Sequence, residues 1–309
     1  MPTQSYNDIE RNAAANNIPL YAHVELTDEF KNAFDQLADL GTLYLSLTGG
    51  EIFLRPDFFE LADYARHQGF ALRLFTNATL ITQEMARQIA HLRPLLIEIS
   101  MYGITPTTHD AVTIVAGSLD DTLASLRYLC EHNIKLLLKT PTMSVNIHEV
   151  QAIREFAQSI GAEFRADAMI SPKLNMSVTP LGYRLSDDDL RWFHKEIAPE
   201  WKPFTPKPDA PVCNAAKGVL AISPYGDVFP CLRVQQSAGN IRDTSLREIW
   251  KNAPVMRQMH ELIFSKLQTC SACEKVAFCN PCPGLALLEH GDMSEAAQEC
   301  CRQAESRKK

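Results

Sequence analysis

The sequence predicts an α/β fold, an open partial barrel of six strand–helix units, followed by a small cysteine-rich domain. Three observations predict it. Short β-rich runs alternate with longer amphipathic patterns from residue 20 to about residue 196. These runs end near residues 26, 47, 75, 100, 139 and 167, mostly about 25 residues apart. Eight of the nine cysteines lie from Cys213 onward. Strands alternating with helices imply βαβ units and a parallel sheet. Six units are too few for a closed eight-stranded barrel, so a partial (β/α)6 barrel is expected. A doubly wound open sheet is the competing arrangement.

The expected strands cover residues 20–26, 42–47, 70–75, 95–100, 134–139 and 162–167. The expected helices cover residues 28–40, 58–67, 83–91, 119–131 and 147–159. Thr27, followed by Asp28 and Glu29, suits the N-cap of the first helix. Ser186 before Asp187, Asp188 and Asp189 marks another helix start. Residues 199–211 hold five prolines and form a stiff, extended linker. The division is therefore a barrel over 1–198, a linker over 199–212 and a cysteine-rich domain over 213–309. In that domain, residues 219–223 and 227–229 flank Pro224-Tyr225-Gly226 and predict a β-hairpin. Residues 302–309 are expected to fray.

The composition is that of an ordinary globular protein, with 46% hydrophobic and 22% charged residues among 309, which excludes global disorder. A net charge of −7 argues against a protein that wraps nucleic acid, because phosphate neutralisation needs clustered Lys and Arg. Residues 1–17 carry no apolar signal-peptide core, and no apolar run is long enough to span a bilayer. A cytoplasmic location is expected, with neither membrane nor nucleic acid as a partner.

The residues that follow the strands carry the chemistry. Thr48-Gly49-Gly50-Glu51 makes an abrupt polar turn after the second strand. Two glycines let backbone approach a ligand closely, and the Glu51 carboxylate suits an ammonium group. Thr76-Asn77-Ala78-Thr79 follows the third strand and Ser100-Met101-Tyr102-Gly103 the fourth. Lys139-Thr140 follows the fifth, and Arg165 and Asp167 lie on the sixth. Each motif alone reads equally well as a tight turn or a helix cap. Together, in order, they suit a zwitterionic ligand bearing a ribose. His23, Met143 and Met169 read as packing residues, and His109-Asp110 reads equally well as a substrate contact or as helix capping by Thr108 or Asp110.

In the tail, Cys213 and Cys231 are spaced C-x12-G-x4-C. Cys270, Cys273, Cys279 and Cys282 follow as C-x2-C-x5-C-x2-C, and then Cys300 and Cys301. In a reducing compartment such a cluster holds metal rather than disulfides. Eight thiolates suffice for two centres of four ligands, iron–sulfur or zinc. Cys130 stands alone near a helix end.

The order Gly-Gly-Glu, Thr-Asn-x-Thr-Leu, Ile-Ser-Met-Tyr-Gly, C-x12-G-x4-C and C-x2-C-x5-C resembles radical S-adenosylmethionine enzymes with a SPASM domain. The likeness covers nearly the whole chain, including Ala15-x4-Leu20 and the run from Ser245 to Trp250. It implies S-adenosylmethionine as cofactor. Gly49, Gly50 and Glu51 would contact its amino group, and Asn77 and Ser100 would lie near its ribose and carboxylate. Lys139 and Arg165 are further candidates. It also implies two auxiliary [4Fe-4S] clusters. One would take Cys213, Cys231 and Cys282, with a fourth position open. The other would take Cys270, Cys273, Cys279 and one of Cys300 or Cys301. Family members mostly modify peptides or proteins by 5′-deoxyadenosyl-radical hydrogen abstraction. The implied partners are thus a peptide or small-protein substrate and a reductant such as ferredoxin or flavodoxin.

The chain departs from the family at one point. The C-x3-C-x2-C motif that holds the S-adenosylmethionine-cleaving cluster is absent, and no cysteine precedes Cys130. Leu26-Thr27 runs directly into Asp28. A lost internal segment of an otherwise active enzyme is the favoured explanation; loss of the radical chemistry or ligands from another chain are the others. Two readings compete with the enzyme: a non-catalytic peptide- or S-adenosylmethionine-binding protein with structural clusters, and a zinc-binding module.

Overall fold

The computed structural model describes residues 27–173 and 176–308. Its body is a parallel sheet of five strands: β1 (Tyr44–Leu47), β2 (Ala71–Thr76), β3 (Leu96–Ser100), β4 (Leu136–Pro141) and β5 (Glu163–Asp167). They lie side by side in chain order, each pairing parallel with the next. Right-handed crossovers between strands added always on the same side put every helix on one face. That ordering decides between the competing architectures: the sheet is singly wound, as a partial barrel is. The first expected strand, residues 20–26 with His23, lies outside the described residues.

The helix layer is α1 (Thr27–Asp39), α2 (Phe58–His67), α3 (Gln83–Leu92), α4 (Pro106–Thr113), α5 (Ser118–Glu131) and α6 (Val150–Ser159). The strands show why only one sheet face is covered. In β2 the buried Leu72, Leu74 and Thr76 alternate with the partly exposed Ala71, Arg73 and Phe75. Leu72, Leu74, Ile97, Ile99 and Leu138 share one core with Phe34, Leu61, Ile89, Leu126 and Ile153 from the helices. The other face carries Arg73, Phe75, Glu98, Ser100, Lys139 and Arg165. A period of two thus turns one sequence into an apolar face and a charged face.

Most expected elements lie within three residues of their predicted ends, and two details differ. Thr27 lies inside α1, and its hydroxyl donates to Asp57 Oδ2 at 2.6 Å instead of capping the helix. The helix α4 follows a run with no apolar periodicity and was not anticipated.

Beyond the body, α7 (Asp187–Trp192) starts at Ser186, whose hydroxyl oxygen accepts the Asp189 N–H at 3.1 Å. In the tail, the antiparallel strands β6 (Ala221–Ile222) and β7 (Asp227–Phe229) form the expected hairpin, joined by β8 (Gly239–Asn240). Then follow α8 (Leu246–Asn252), α9 (Pro254–Glu261), α10 (Pro283–His290) and α11 (Gln298–Arg307). The tail grips α1: Arg242 forms a fork on Glu29 at 2.6 and 2.9 Å, and Gln36 Oε1 accepts the Leu246 N–H at 2.6 Å.

The chain does not fray from residue 302. Arg302 bonds Asp187 and Glu299, each at 3.0 Å, within the helix α11 that packs on α7. His194 Nε2 lies 2.8 Å from Gln303 Oε1. The amide of Gln303 donates to Glu299 Oε1 at 2.8 Å and to the Ala168 carbonyl at 3.3 Å. Its oxygen must therefore accept, which puts the imidazole proton on Nε2. Burial pushes His194 down to about 4, helped by the Arg307 charge.

Candidate functional site

The polar residues singled out by the sequence converge along the carboxyl ends of the strands. Thr76 is in register with Ile99, Ser100 with Lys139, and Lys139 with Arg165. Asn77, one residue beyond Thr76, therefore sits level with Ser100, Lys139 and Arg165, one per strand. The loop after β1 brings Glu51 to the same edge. Its Oε1 accepts the Thr76 hydroxyl at 2.8 Å and the Phe53 N–H at 3.2 Å, and its Oε2 accepts the Asn77 N–H at 2.8 Å. Burial lifts this carboxyl above its usual range, against the pull of those donors. The Ile52 N–H bears on the same carboxylate.

Gly49 and Gly50 are exposed, and neither has a positive φ. A Cβ built on either meets no atom within 4 Å. Among the described residues nothing requires glycine there, and no described atom fills the space before them. The loop after β2 is fixed more tightly. Asn77 Oδ1 accepts both the N–H and the hydroxyl of Thr79 at 2.9 Å, and buried Ala78 takes a left-handed φ of 60°. Such strained backbone is commonest where a ligand is held. These features fit S-adenosylmethionine: a carboxylate for its ammonium, an open glycine edge and hydrogen-bonding groups for its ribose.

Sequence reasoning missed the charges deeper on the same face. Glu98 is 3% exposed and bonded to Arg73, with Lys139 Nζ 4.0 Å from its other oxygen. The Arg73 guanidinium and the Lys139 ammonium both lie near the Phe75 ring, at 5.9 and 5.7 Å from its centre. The signal was present: Leu-Ile-Glu-Ile-Ser places one carboxylate in the middle of an otherwise apolar strand.

In the tail the thiols form two overlapping neighbourhoods, joined at Cys300, which lies within electrostatic reach of both Cys282 and Cys279. Cys213 lies within electrostatic reach of Cys231 and Cys282. Cys279 lies within reach of Cys270, Cys301 and Cys273. Cys270, Cys279, Cys282, Cys300 and Cys301 line one cavity, walled by Val212, Leu267, Pro281, Pro283 and Met293 among others. Burial pushes Cys270 up to about 11, and Cys279 and Cys300 up to about 12. Cluster ligation has to displace those protons. Among the described residues, no three His, Cys, Asp or Glu side chains are gathered to hold a single metal ion. An all-thiol donor set around an apolar cavity suits iron–sulfur clusters.

Gly284 brings two of these thiols together. It is the second residue of α10, just after Cys282, and a Cβ there would lie 2.7 Å from both the carbonyl carbon and the Cβ of Arg233. The absent side chain lets the start of α10 touch the turn that follows Cys231. The S-adenosylmethionine-cleaving cluster, by contrast, does not fit this chain. Its three thiolates are missing, and α1 begins at Thr27.

Two family models match the chain. The Radical SAM superfamily covers residues 13–157, and the SPASM iron–sulfur cluster-binding domain covers residues 213–274. The AdoMet-dependent heme synthase of Methanosarcina barkeri is 28% identical, over 94% of this chain and 90% of that protein. The mycofactocin maturase MftC of Mycobacterium tuberculosis is 25% identical, over 84% of this chain and 69% of its own length. The structure of native anSMEcpe with bound AdoMet and Kp18Cys peptide superposes with a TM-score of 0.66 at 17% identity, covering 91% of this chain and 87% of that one. With its singly wound parallel sheet and its thiol-lined tail, the chain belongs to the radical SAM superfamily and carries a SPASM iron–sulfur cluster-binding domain.

Proposed function

We propose that this is a peptide-modifying radical S-adenosylmethionine protein whose barrel and auxiliary-cluster domain are present but whose S-adenosylmethionine-cleaving cluster motif is missing. The observation that carries the reading is the open Gly49–Gly50 edge beside Glu51, with Asn77, Ser100, Lys139 and Arg165 in one row. The Glu51 carboxylate takes the ammonium of S-adenosylmethionine, and Asn77 and Ser100 take its ribose and carboxylate. When bound and reductively cleaved, this cofactor supplies a 5′-deoxyadenosyl radical. The chain's own residues do the holding. The charged sheet face receives the substrate, and the tail thiols hold two auxiliary four-iron clusters. MftC, named as a maturase, supports a peptide as substrate. A ferredoxin or flavodoxin is the matching reductant.

The alignment with the heme synthase spans 323 positions but uses 94% of this chain, about 290 of 309 residues, so about thirty positions of the relative go unmatched. The tests follow in two stages. In equilibrium dialysis the chain binds S-adenosylmethionine, and Glu51→Ala weakens binding at least tenfold, about 1.4 kcal/mol. Unchanged affinity in that variant would remove Glu51 from the site. After anaerobic reconstitution with dithionite, this chain yields no 5′-deoxyadenosine. Inserting a C-x3-C-x2-C loop between Thr27 and Asp28 restores it.

A second reading has its own support. The heme synthase matches the chain more completely than MftC does, and Arg73, Lys139 and Arg165 give the open face cations for an anionic heme precursor. Titration with a porphyrin, followed by its absorbance, separates the two readings: a saturable shift lost in Arg165→Ala favours the heme precursor.

A further inference from the structure

We infer that the open sheet face carries a second binding site, at the amino ends of its strands, for a free amino acid with an apolar side chain. The site is a cavity of about 360 Å³ lined by Tyr44, Arg73, Leu95, Leu96, Lys135 and Glu163. Small-molecule sites span about 300–1,000 Å³. Strand register sets the cavity apart from the row proposed for the cofactor. Arg73 is level with Leu96, and Ile97 with Leu136, so Arg73, Leu96 and Lys135 form one row across three strands. Ser100 lies four residues beyond Leu96 on β3, a distance of about 13 Å at about 3.3 Å per residue. The carboxyl ends of barrel strands carry the chemistry and the amino ends do not, so a ligand here is held apart from the reacting atoms.

Charge selects the class of ligand. Arg73 is bonded to the buried Glu98, which offsets its charge. A guanidinium has five donors, and among the described residues the buried Nε of Arg73 has no partner. Lys135 and Glu163 are exposed, and among the described residues neither side chain has a hydrogen bond or an ion pair. Glu163 is level with Leu137, which lies two residues beyond Lys135 on the neighbouring strand. That diagonal separates their Cα atoms by about 8 Å, from strands about 4.8 Å apart and a rise of about 3.3 Å per residue. Opposite charges thus line one cavity without closing on each other. A zwitterion answers both: its carboxylate goes to Lys135 and the spare donors of Arg73, and its ammonium to Glu163. A simple anion would leave Glu163 unanswered, and a simple cation would leave Lys135. The remaining wall is Leu95, Leu96 and the ring of Tyr44, with Leu95 44% and Tyr44 63% exposed. Covering that apolar surface is favourable, and an apolar or aromatic side chain on the zwitterion does so.

The test is isothermal titration calorimetry on the full chain with L-phenylalanine as the probe. Saturable binding is expected. Phenylalaninamide, which lacks the carboxylate, and hydrocinnamate, which lacks the ammonium, should each bind at least about tenfold more weakly. Lys135→Met should weaken L-phenylalanine to a similar degree. Glu163→Gln should weaken L-phenylalanine while leaving hydrocinnamate unchanged. Both side chains are exposed, and unaltered circular dichroism checks that each variant folds. Saturating S-adenosylmethionine should leave the affinity for L-phenylalanine as it was. No saturation by about 10 mM L-phenylalanine overturns the inference, as does equal affinity for the amide or full affinity in either variant. Displacement by S-adenosylmethionine overturns it too, because the amino acid would then occupy the cofactor's row. A chain that binds no S-adenosylmethionine counts against the cofactor reading alone, since the ligand series and the two variants still test this cavity.

Discussion

Gly284 is the residue on which the tail's geometry turns. A methyl group there collides with backbone at 2.7 Å, and backbone cannot move aside as a side-chain tip can. Gly284→Ala should cost about 1–3 kcal/mol, as overpacking does. It should also lower iron uptake, because Cys231 and Cys282 are pushed apart. Thermal unfolding alongside iron counting checks it, and normal iron with a lowered midpoint would separate stability from ligation. Arg307 is the other telling residue. Its guanidinium stacks on Trp201 at 4.1 Å from the ring centre, donates to the Phe278 carbonyl at 3.1 Å and sits within reach of Cys279 and Cys300. A buried cation beside a cluster favours its reduced form. Arg307→Met is therefore expected to make the reduction potential of a tail cluster more negative, read by redox titration. An unmoved potential would limit Arg307 to packing.

Among the elements, the junction of α7 with α11 has a defined pH dependence. His194 is neutral in the fold, with its value depressed from 6.5 to about 4 by burial. A depressed folded value gives stability that is complete above pH 6.5 and is lost as pH falls toward 4, up to about 3 kcal/mol in all. The protection factors of the α11 amides, corrected for intrinsic exchange, should fall as pH drops across that window, and His194→Gln should flatten the change. Wild-type protection factors that stay level from pH 7 to 4 would contradict it. This junction was also where sequence reading failed. The α11 sequence Gln-Glu-Cys-Cys-Arg-Gln-Ala-Glu-Ser-Arg is polar almost throughout, and its stability comes from partners more than a hundred residues earlier. The helix α4 was missed for a similar reason. Its N-terminal Thr105 N–H is held at 3.0 Å by Glu149, a partner no local pattern reveals. The strands were legible because alternation is local: β2 and β3 write their two faces directly into Leu72-Arg73-Leu74-Phe75 and Ile97-Glu98-Ile99-Ser100.

Across the whole molecule, what the sequence foretold was a set of strand ends. What it withheld was their level. That Asn77, Ser100, Lys139 and Arg165 stand in one row follows from strand register, which depends on pairing between distant segments. The burial of Cys300 beside an exposed Cys301 was equally closed to inspection, since it depends on how α11 docks. The division of labour between the two regions predicts that metal and cofactor binding separate cleanly. Cys282→Ala should lose iron while keeping its affinity for S-adenosylmethionine, and Glu51→Ala should do the reverse. Equilibrium dialysis and iron analysis on the same preparations test this, and a shared loss would mean that the two regions fold as one cooperative unit.

The position of α11 also sets an order of assembly. Two of the eight tail thiols, Cys300 and Cys301, ride on the helix that clasps the body through Gln303 and Arg302. A nascent chain paused after Cys282 exposes its six earlier tail thiols before that helix and its two thiols have been made.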